Sequence, residues 1–285
     1  MRVLFALLAT MVACGPADPP ATAQRILRFS GIPHQDLTQQ AARFEPIAAY
    51  LRDALDVPVE YVPVSDYDAA VTMFRNGEVQ LAWLGGLTGV QARQAVLGAR
   101  AIAQGAEDAA HYSYFVAHRG AGLELGESFP VDALGMSFAF GSEHSTSGRL
   151  MPEFFIREST GMRPDDFFSE VVFSGSDPKT LALVNQGRFQ LGALDYRTYD
   201  DASADEKADV IVVWPTPRYA DNNFSAHPQL ETVFGAGFIA QLQEVVLAMP
   251  EALCTGSFGR SRMIEATDDD FESIAIVGRG LGLAR

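Results

Sequence analysis

Apolar and polar positions along this chain switch between two periods, and the switching predicts strands and helices in turn. Residues 25–30 read as a strand that ends at Gly31-Ile32-Pro33. Over residues 38–55, Ala41, Phe44, Ile47, Ala48, Leu51 and Leu55 recur at helical spacing and mark one face. Residues 57–64 read as an edge or irregular strand, because proline has no N–H to give a ladder. Asp66 is placed to cap a helix reaching Asn76, with Gly77 as its stop. Further strands are predicted over 79–84, 99–104 and 112–117. This alternation predicts an α/β fold with a largely parallel sheet.

One unit recurs. Asn76-Gly77-Glu78-Val79-Gln80-Leu81-Ala82 and Gln186-Gly187-Arg188-Phe189-Gln190-Leu191-Gly192 each join a helix end, through Gly, to an apolar strand. Glycine can end a helix in any fold, yet the match predicts two lobes of similar construction. Residues 119–128 read as a crossing or surface loop, which gives lobe one as 25–118 plus 214–285 and lobe two as 119–213. A ligand is then expected in the cleft between them.

Charge narrows the function classes. The 285 residues carry 36 acidic and 21 basic side chains, a formal net charge of −15. Nucleic-acid binding needs a basic face to displace counterions, and is excluded as an expectation. The same acidity argues against general attraction to anionic membranes. At the N-terminus Arg2 precedes an apolar run over 3–12, too short to span a bilayer. Met11-Val12-Ala13-Cys14-Gly15 resembles a bacterial lipobox. It predicts a lipoprotein signal peptide over 1–13, lipid attachment at Cys14, and a tether over 14–24. A plain secretory signal cleaved nearby gives the same compartment, outside the cytoplasm. Lipid on Cys14 leaves Cys254 a lone thiol, read either as an inert buried side chain or as a ligand for a soft metalloid. The five His residues show no metal-ligand spacing, so no metal or cofactor is expected.

The densest candidate chemistry lies over 138–155. An apolar strand ends at Gly141. Ser145, Thr146, Ser147 and Gly148 follow, and a helix with Leu150, Met151, Phe154 and Phe155 begins. Hydroxyls at such a junction cap the helix. They can equally hold an anion, aided by free backbone N–H groups and the helix dipole. Such a site needs no Lys or Arg, so net acidity does not forbid it.

Ser145-Thr146-Ser147-Gly148 after Phe140-Gly141-Ser142 resembles the anion-binding signature of the phosphate/phosphite/phosphonate (PhnD-like) substrate-binding family of ABC transporters. Phe29-Ser30-Gly31-Ile32-Pro33, the Arg43 to Leu51 helix, Val79 to Gly86, Val172 to Gly187 and Ser261 to Leu283 are similar to further segments of it. Leu84-Gly85-Gly86 and Pro215-Thr216-Pro217-Arg218-Tyr219 look closest to the subgroup labelled putative selenate-binding. The resemblance covers nearly the whole chain after the tether. It implies a two-lobed, type II periplasmic binding protein, each lobe a mostly parallel sheet flanked by helices, with crossover hinges. It further implies a small oxyanion as ligand, a permease in the inner membrane as partner, and a monomer.

Carried over by position, Ser145, Thr146 and Ser147 would hold the oxyanion, and Tyr112 would contact it from lobe one. Trp83 and Gly85 would line lobe one; Ser174 and Ser176 would form a wall of lobe two. Asp195, Tyr196, Tyr219 and Asp221 complete the expected set. Asp195 and Asp221 could hold a ligand amine, accept a hydrogen bond from a protonated oxyanion, or be ordinary turn residues. Trp83 fits core as well as cleft. Tyr112 shares its face with Tyr114, so either could be the contact. His144 is of interest because it adjoins Ser145. No nucleophile elbow, zincin motif, phosphate-binding loop or Cys-His motif is present in the sequence, and a Ser147 nucleophile would lack an orienting group. The expected protein is a receptor, not an enzyme. A sensor subunit of a two-component system could use the same fold.

Overall fold

The computed structural model describes residues 25–33 and 37–285. The expected signal peptide, the expected tether and Cys14 lie outside the described residues. The strands are β1 Leu27–Gly31, β2 Val59–Tyr61, β3 Leu81–Leu84, β4 Arg100–Gly105, β5 Ser113–His118, β6 Ser137–Phe140, β7 Glu170–Phe173, β8 Leu191–Asp195, β9 Val210–Pro215, β10 Asn223–Ala226 and β11 Met263–Glu265. The helices that matter here are α1 Leu37–Leu55, α2 Tyr67–Arg75, α3 Gly86–Ala95, α4 Met151–Thr160, α5 Pro164–Phe167, α6 Asp177–Asn185 and α7 Tyr196–Asp200.

Local signals act as the sequence leads one to expect. Helix α1 buries Phe44, Ile47, Ala48, Leu51 and Leu55. Asp66 accepts the Ala69 N–H at 2.8 Å and caps α2. Gly77 and Gly187 follow α2 and α6 with φ of 72° and 66°, a backbone region that costs glycine nothing.

The recurring unit is a real topological repeat. Strands β2-β1-β3 in one sheet and β7-β6-β8 in the other share the same parallel order. Each sheet is then extended by antiparallel strands. The full orders are β11-β4-β10-β3-β1-β2 and β7-β6-β8-β5-β9. The two-lobed α/β architecture is therefore as expected, but each sheet is mixed rather than mostly parallel. The reason lies in an exchange of strands. Outgoing β5 pairs antiparallel with β8 and β9, while returning β10 pairs antiparallel with β3 and β4. Strand β5 accordingly belongs to the second sheet, not to lobe one, where a boundary after residue 118 would have left it.

Burial follows this plan. One apolar cluster covers the first sheet with α1, including Phe29, Phe44, Trp83 and Phe224. Cys254 lies in it, fully buried, which matches the inert-thiol reading and leaves it no access to a metalloid. A second cluster runs from Phe115, Phe138 and Phe140 of the second sheet to Leu87 of α3. The lobes thus share apolar contact beside the cleft, and α3 is held against lobe two.

Candidate functional site

Two crossover segments join the lobes, residues 106–112 and 216–222. They run side by side. The Tyr219 N–H donates to the His111 carbonyl at 2.9 Å, and the Asp221 N–H to the Asp108 carbonyl at 3.0 Å. This pairing fixes His111, Tyr219 and Asp221 at the centre of the molecule, all buried. Under them Arg260 binds Asp108 through two hydrogen bonds of 2.6 and 2.7 Å.

Lobe one offers the start of α3. The Gly86 N–H donates to Asp221 Oδ1 at 2.8 Å, and the Leu87 N–H to Thr146 Oγ1 of lobe two at 3.0 Å. These are N–H groups that a helix cannot satisfy itself. Gly85 and Gly86 make the approach possible. A Cβ on Gly85 would lie 3.2 Å from Thr146 Oγ1, and one on Gly86 3.0 Å from the Ala220 carbonyl. Thr146 lies against Asp221, and the buried Tyr67 at the start of α2 lies near Ser145. His144 Nε2 reaches Asp68 Oδ1 at 3.1 Å across the same cleft.

Lobe two supplies the hydroxyl turn. Gly141 N–H donates to the Gly148 carbonyl at 2.8 Å, closing the end of β6 onto a single wide π turn, Thr146–Leu150. Ser145 Oγ accepts the Gly148 N–H at 2.8 Å. Ser113 Oγ donates to the Ser147 carbonyl at 2.7 Å and shares a 2.5 Å hydrogen bond with the Tyr219 hydroxyl. Asp177 Oδ2 accepts the Asp195 N–H at 3.0 Å. Its Oδ1 makes no hydrogen bond and lies in space that glycine leaves open: a Cβ at Gly141 or Gly148 would come within 2.4 Å of it.

The electrostatics are unusual for an acidic chain. Burial, then the Asp195 charge, pushes the Asp177 carboxyl from 3.8 up to about 7. Burial does the same for Asp221, and the charges of Asp108 and Asp195 add to it, against the Gly86 N–H. Desolvation drives His111 from 6.5 down to about 3, with Arg260 and Arg197 opposing its charge and Asp108 favouring it. His111 is therefore a neutral imidazole at pH 7. Its Nε2 stands 3.5 Å from both Asp195 Oδ2 and Asp221 Oδ2, and neither ring nitrogen makes a hydrogen bond. These proximities are not ion pairs. Buried polar atoms seldom go unpaired, so His111 Nε2 and Asp177 Oδ1 point to a ligand that pairs them. Among the described residues no set of three or more His, Cys, Asp or Glu is disposed to hold a metal ion.

Several sequence-derived candidates converge here. Ser145, Thr146, Ser147, Gly85, Tyr219, Asp221 and Asp195 lie in or against this cluster, and Ser145 and Asp195 also serve as caps. Trp83 is core, packed at 4.9 Å on Phe224 and 4.7 Å on Phe258, with an edge toward a neighbouring groove. Tyr112 is a correction. It sits on the opposite face of its strand line, stacked at 4.2 Å on Tyr196 and covered by Arg218. Tyr196 meets His111 only from behind, ring centres 5.2 Å apart. Ser174 bonds to the Ser176 carbonyl and to Thr180 Oγ1 of α6, and Ser176 makes no side-chain cap. Asp177 takes the wall position expected of these serines.

Sequence reasoning missed His111, Ser113, Tyr67 and Asp177. For the first two a signal existed. Phe115 and Ala117 are the apolar residues of the buried face, and alternation puts Ser113 and His111 in line with them. The aromatic hydroxyls of Tyr112 and Tyr114 drew attention to the wrong face. Asp177 and Tyr67 had no local signal.

A family model described as "ABC transporter, phosphonate, periplasmic substrate-binding protein" matches residues 29–271. A probable ABC transporter phosphite-binding protein, PhnD1 of Prochlorococcus marinus (strain MIT 9301), is 35% identical over 282 residues, 94% of each chain. The structure of PhnD1 in complex with methylphosphonate superposes with a TM-score of 0.84 at 34% identity, covering 91% of this chain and 99% of that one. A binding-protein component of an ABC phosphonate transporter from Pseudomonas aeruginosa shares the fold, with a TM-score of 0.75 at 15% identity over 89% of this chain and 85% of its own.

Proposed function

The chain belongs to the periplasmic substrate-binding family of ABC phosphonate transporters, and from that membership we propose that it captures a small phosphonate-type oxyanion between its lobes and delivers it to a permease. The observation that carries the reading is that two buried atoms, His111 Nε2 and Asp177 Oδ1, lack hydrogen-bond partners beside the start of α3 and the 145–147 turn. An anion entering there would take over the Gly86 and Leu87 N–H groups, which Asp221 and Thr146 otherwise accept, from one lobe and meet the 145–147 turn from the other. No Lys or Arg is required, since helix-start N–H groups and hydroxyls supply the donors. Asp177 and Asp221 in their neutral forms donate as well; ionised, either accepts a hydrogen bond from a protonated ligand oxygen. A fully ionised anion with no hydrogen to give, such as sulfate, is thereby disfavoured.

Two tests follow. Calorimetric titration against phosphate, phosphite, methylphosphonate, aminoethylphosphonate, selenate, selenite, sulfate and arsenite should give micromolar or tighter binding to a phosphorus oxyanion. Folded protein that binds none of them would sink the reading. Thr146→Ala should weaken the preferred ligand by about 1–3 kcal/mol, the scale of one hydrogen bond to a charged group. Unchanged affinity would remove Thr146 from the site.

We further propose a lipid anchor at Cys14 on the extracytoplasmic side and a monomeric receptor. Mass spectrometry of the membrane-extracted protein, with Cys14→Ser expected to release it into the soluble fraction, checks the anchor. The two-component sensor has no specific observation in its favour.

A further inference from the structure

Beside the central cluster a groove of about 830 Å³ opens between the lobes. Arg43, Phe44, Trp83 and Phe258 line it from lobe one, Asp195 and Arg197 from lobe two. Pockets of about 300–1,000 Å³ hold drug-sized organic ligands, far more than a one-carbon phosphonate fills.

Its charges are unusual. Arg260 is neutralised by Asp108. Arg43 and Arg197 are not: among the described residues neither forms an ion pair with a carboxylate. Arg43 Nε donates to the Ser257 carbonyl, and Arg197 Nη1, from the other lobe, donates to the Gly259 carbonyl. Both guanidinium groups therefore hang on one turn, from opposite walls. Arg197 Nε is buried with no hydrogen-bond partner. Both are half-buried and face one groove, so each guanidinium is partly desolvated with no carboxylate to balance it. Burial and the neighbouring Arg260 charge both lower the Arg43 pKa, so an added anion would relieve it. The other carboxylates of the groove, Asp201, Asp205 and Glu206, are exposed on the stretch after α7.

The groove is continuous with the central cluster through Asp195. Its Oδ2 lies 3.5 Å from His111 Nε2, and its Oδ1 accepts the Arg197 N–H at 2.8 Å. Trp83 and Phe258, with ring centres 4.7 Å apart, give a carbon chain an apolar wall along the way.

Resting on the phosphonate reading above, we propose that the groove is a second subsite, in which Arg43 and Arg197 hold a second anionic group on the ligand's organic arm. The preferred class is then a phosphonocarboxylate rather than a simple alkylphosphonate. Guanidinium groups suit a carboxylate because their N–H donors pair with both oxygens.

The test compares methylphosphonate, n-propylphosphonate and 3-phosphonopropionate by calorimetry at fixed ionic strength. The second and third have similar length and differ in the terminal charge. The unmodified protein should bind 3-phosphonopropionate about tenfold or more tighter than n-propylphosphonate, the scale of one charge-assisted pair. That ratio should fall toward one in Arg43→Met and Arg197→Met. Because the readout is a ratio, a general loss of lobe closure cancels. A ratio near one in the unmodified protein overturns the subsite, as does a high ratio that both variants retain. Methylphosphonate binding with no preference sinks the subsite alone, as does no binding of any of the three; no binding of phosphite or phosphate either sinks the oxyanion reading with it.

Discussion

Replacing Arg260 by Met should destabilise the protein by about 3–5 kcal/mol, the cost of leaving a buried carboxylate without its partner, and lower its thermal midpoint by roughly 10 °C. Arg260 is 5% exposed and Asp108 not at all. Burial alone would lower the Arg260 pKa, but the Asp108 carboxylate outweighs it and the guanidinium stays charged. Methionine keeps the aliphatic stem that packs on Gly105, so the change isolates the charge. Site geometry should suffer too. The Asp108 carbonyl holds the Asp221 N–H, and its Oδ1 lies 3.8 Å from His111 Nδ1. Pairing the substitution with Asp108→Asn should restore part of the loss, because the orphaned charge goes with it. Thermal and urea unfolding of the two single variants and the double variant measure this. Additive losses in the double variant would show that the two side chains act separately.

The second large effect is one of pH. The folded Asp177 carboxyl is raised from 3.8 to about 7, so the folded protein holds that proton more tightly than the unfolded chain. Its contribution to stability is complete below pH 3.8 and is lost as pH rises through about 7. Asp221 acts in the same direction and window. His111 acts oppositely, its depressed pKa costing stability as pH falls from 6.5 toward about 3. For these three groups the loss is steepest just below pH 7, where both carboxyls lose protons and His111 no longer offsets them. Each contributes at most about 1.4 kcal/mol per pH unit. Asp177→Asn removes one of the carboxyls and should be more stable than the parent at pH 8 by roughly 1–3 kcal/mol, with a clearly smaller gain at pH 5. Urea denaturation at both pH values decides it. A variant less stable at pH 8 would mean that the ionised carboxylate is held by hydrogen bonds, not strained by burial.

Much of the frame could be read from residue order because it depends on neighbours a few positions apart. The buried stripe of α1, the Asp66 cap and the glycine stops at 77 and 187 all follow from local spacing and backbone freedom. So does the repeated parallel β-α-β unit, since a short helix-to-strand return leaves few places for the strand. The 145–147 hydroxyl turn was legible for the same reason: capping and anion binding both exploit the first turn of a helix.

Strand partners were not legible where the chain crosses between lobes. Nothing near β5 or β10 states that each will pair in the sheet opposite to its chain-order neighbour, because the competing pairings differ in long-range packing and not in propensity. The site suffers the same limit. His111 meets Tyr219 across 108 positions, an arrangement made by the isolated bridge between the two crossovers. Asp177 reaches Gly141 and Gly148 only because β6 and β7 lie side by side. By itself, the sequence determined the periodic elements, the two similar halves, the hydroxyl turn and the acidic balance, all properties of short-range geometry and composition. Tertiary structure alone decided which sheet β5 joins, which carboxyls are buried enough to stay neutral, and which donors meet across the cleft. Those depend on desolvation and on contacts near 3 Å between residues far apart in the chain, and no local pattern encodes either.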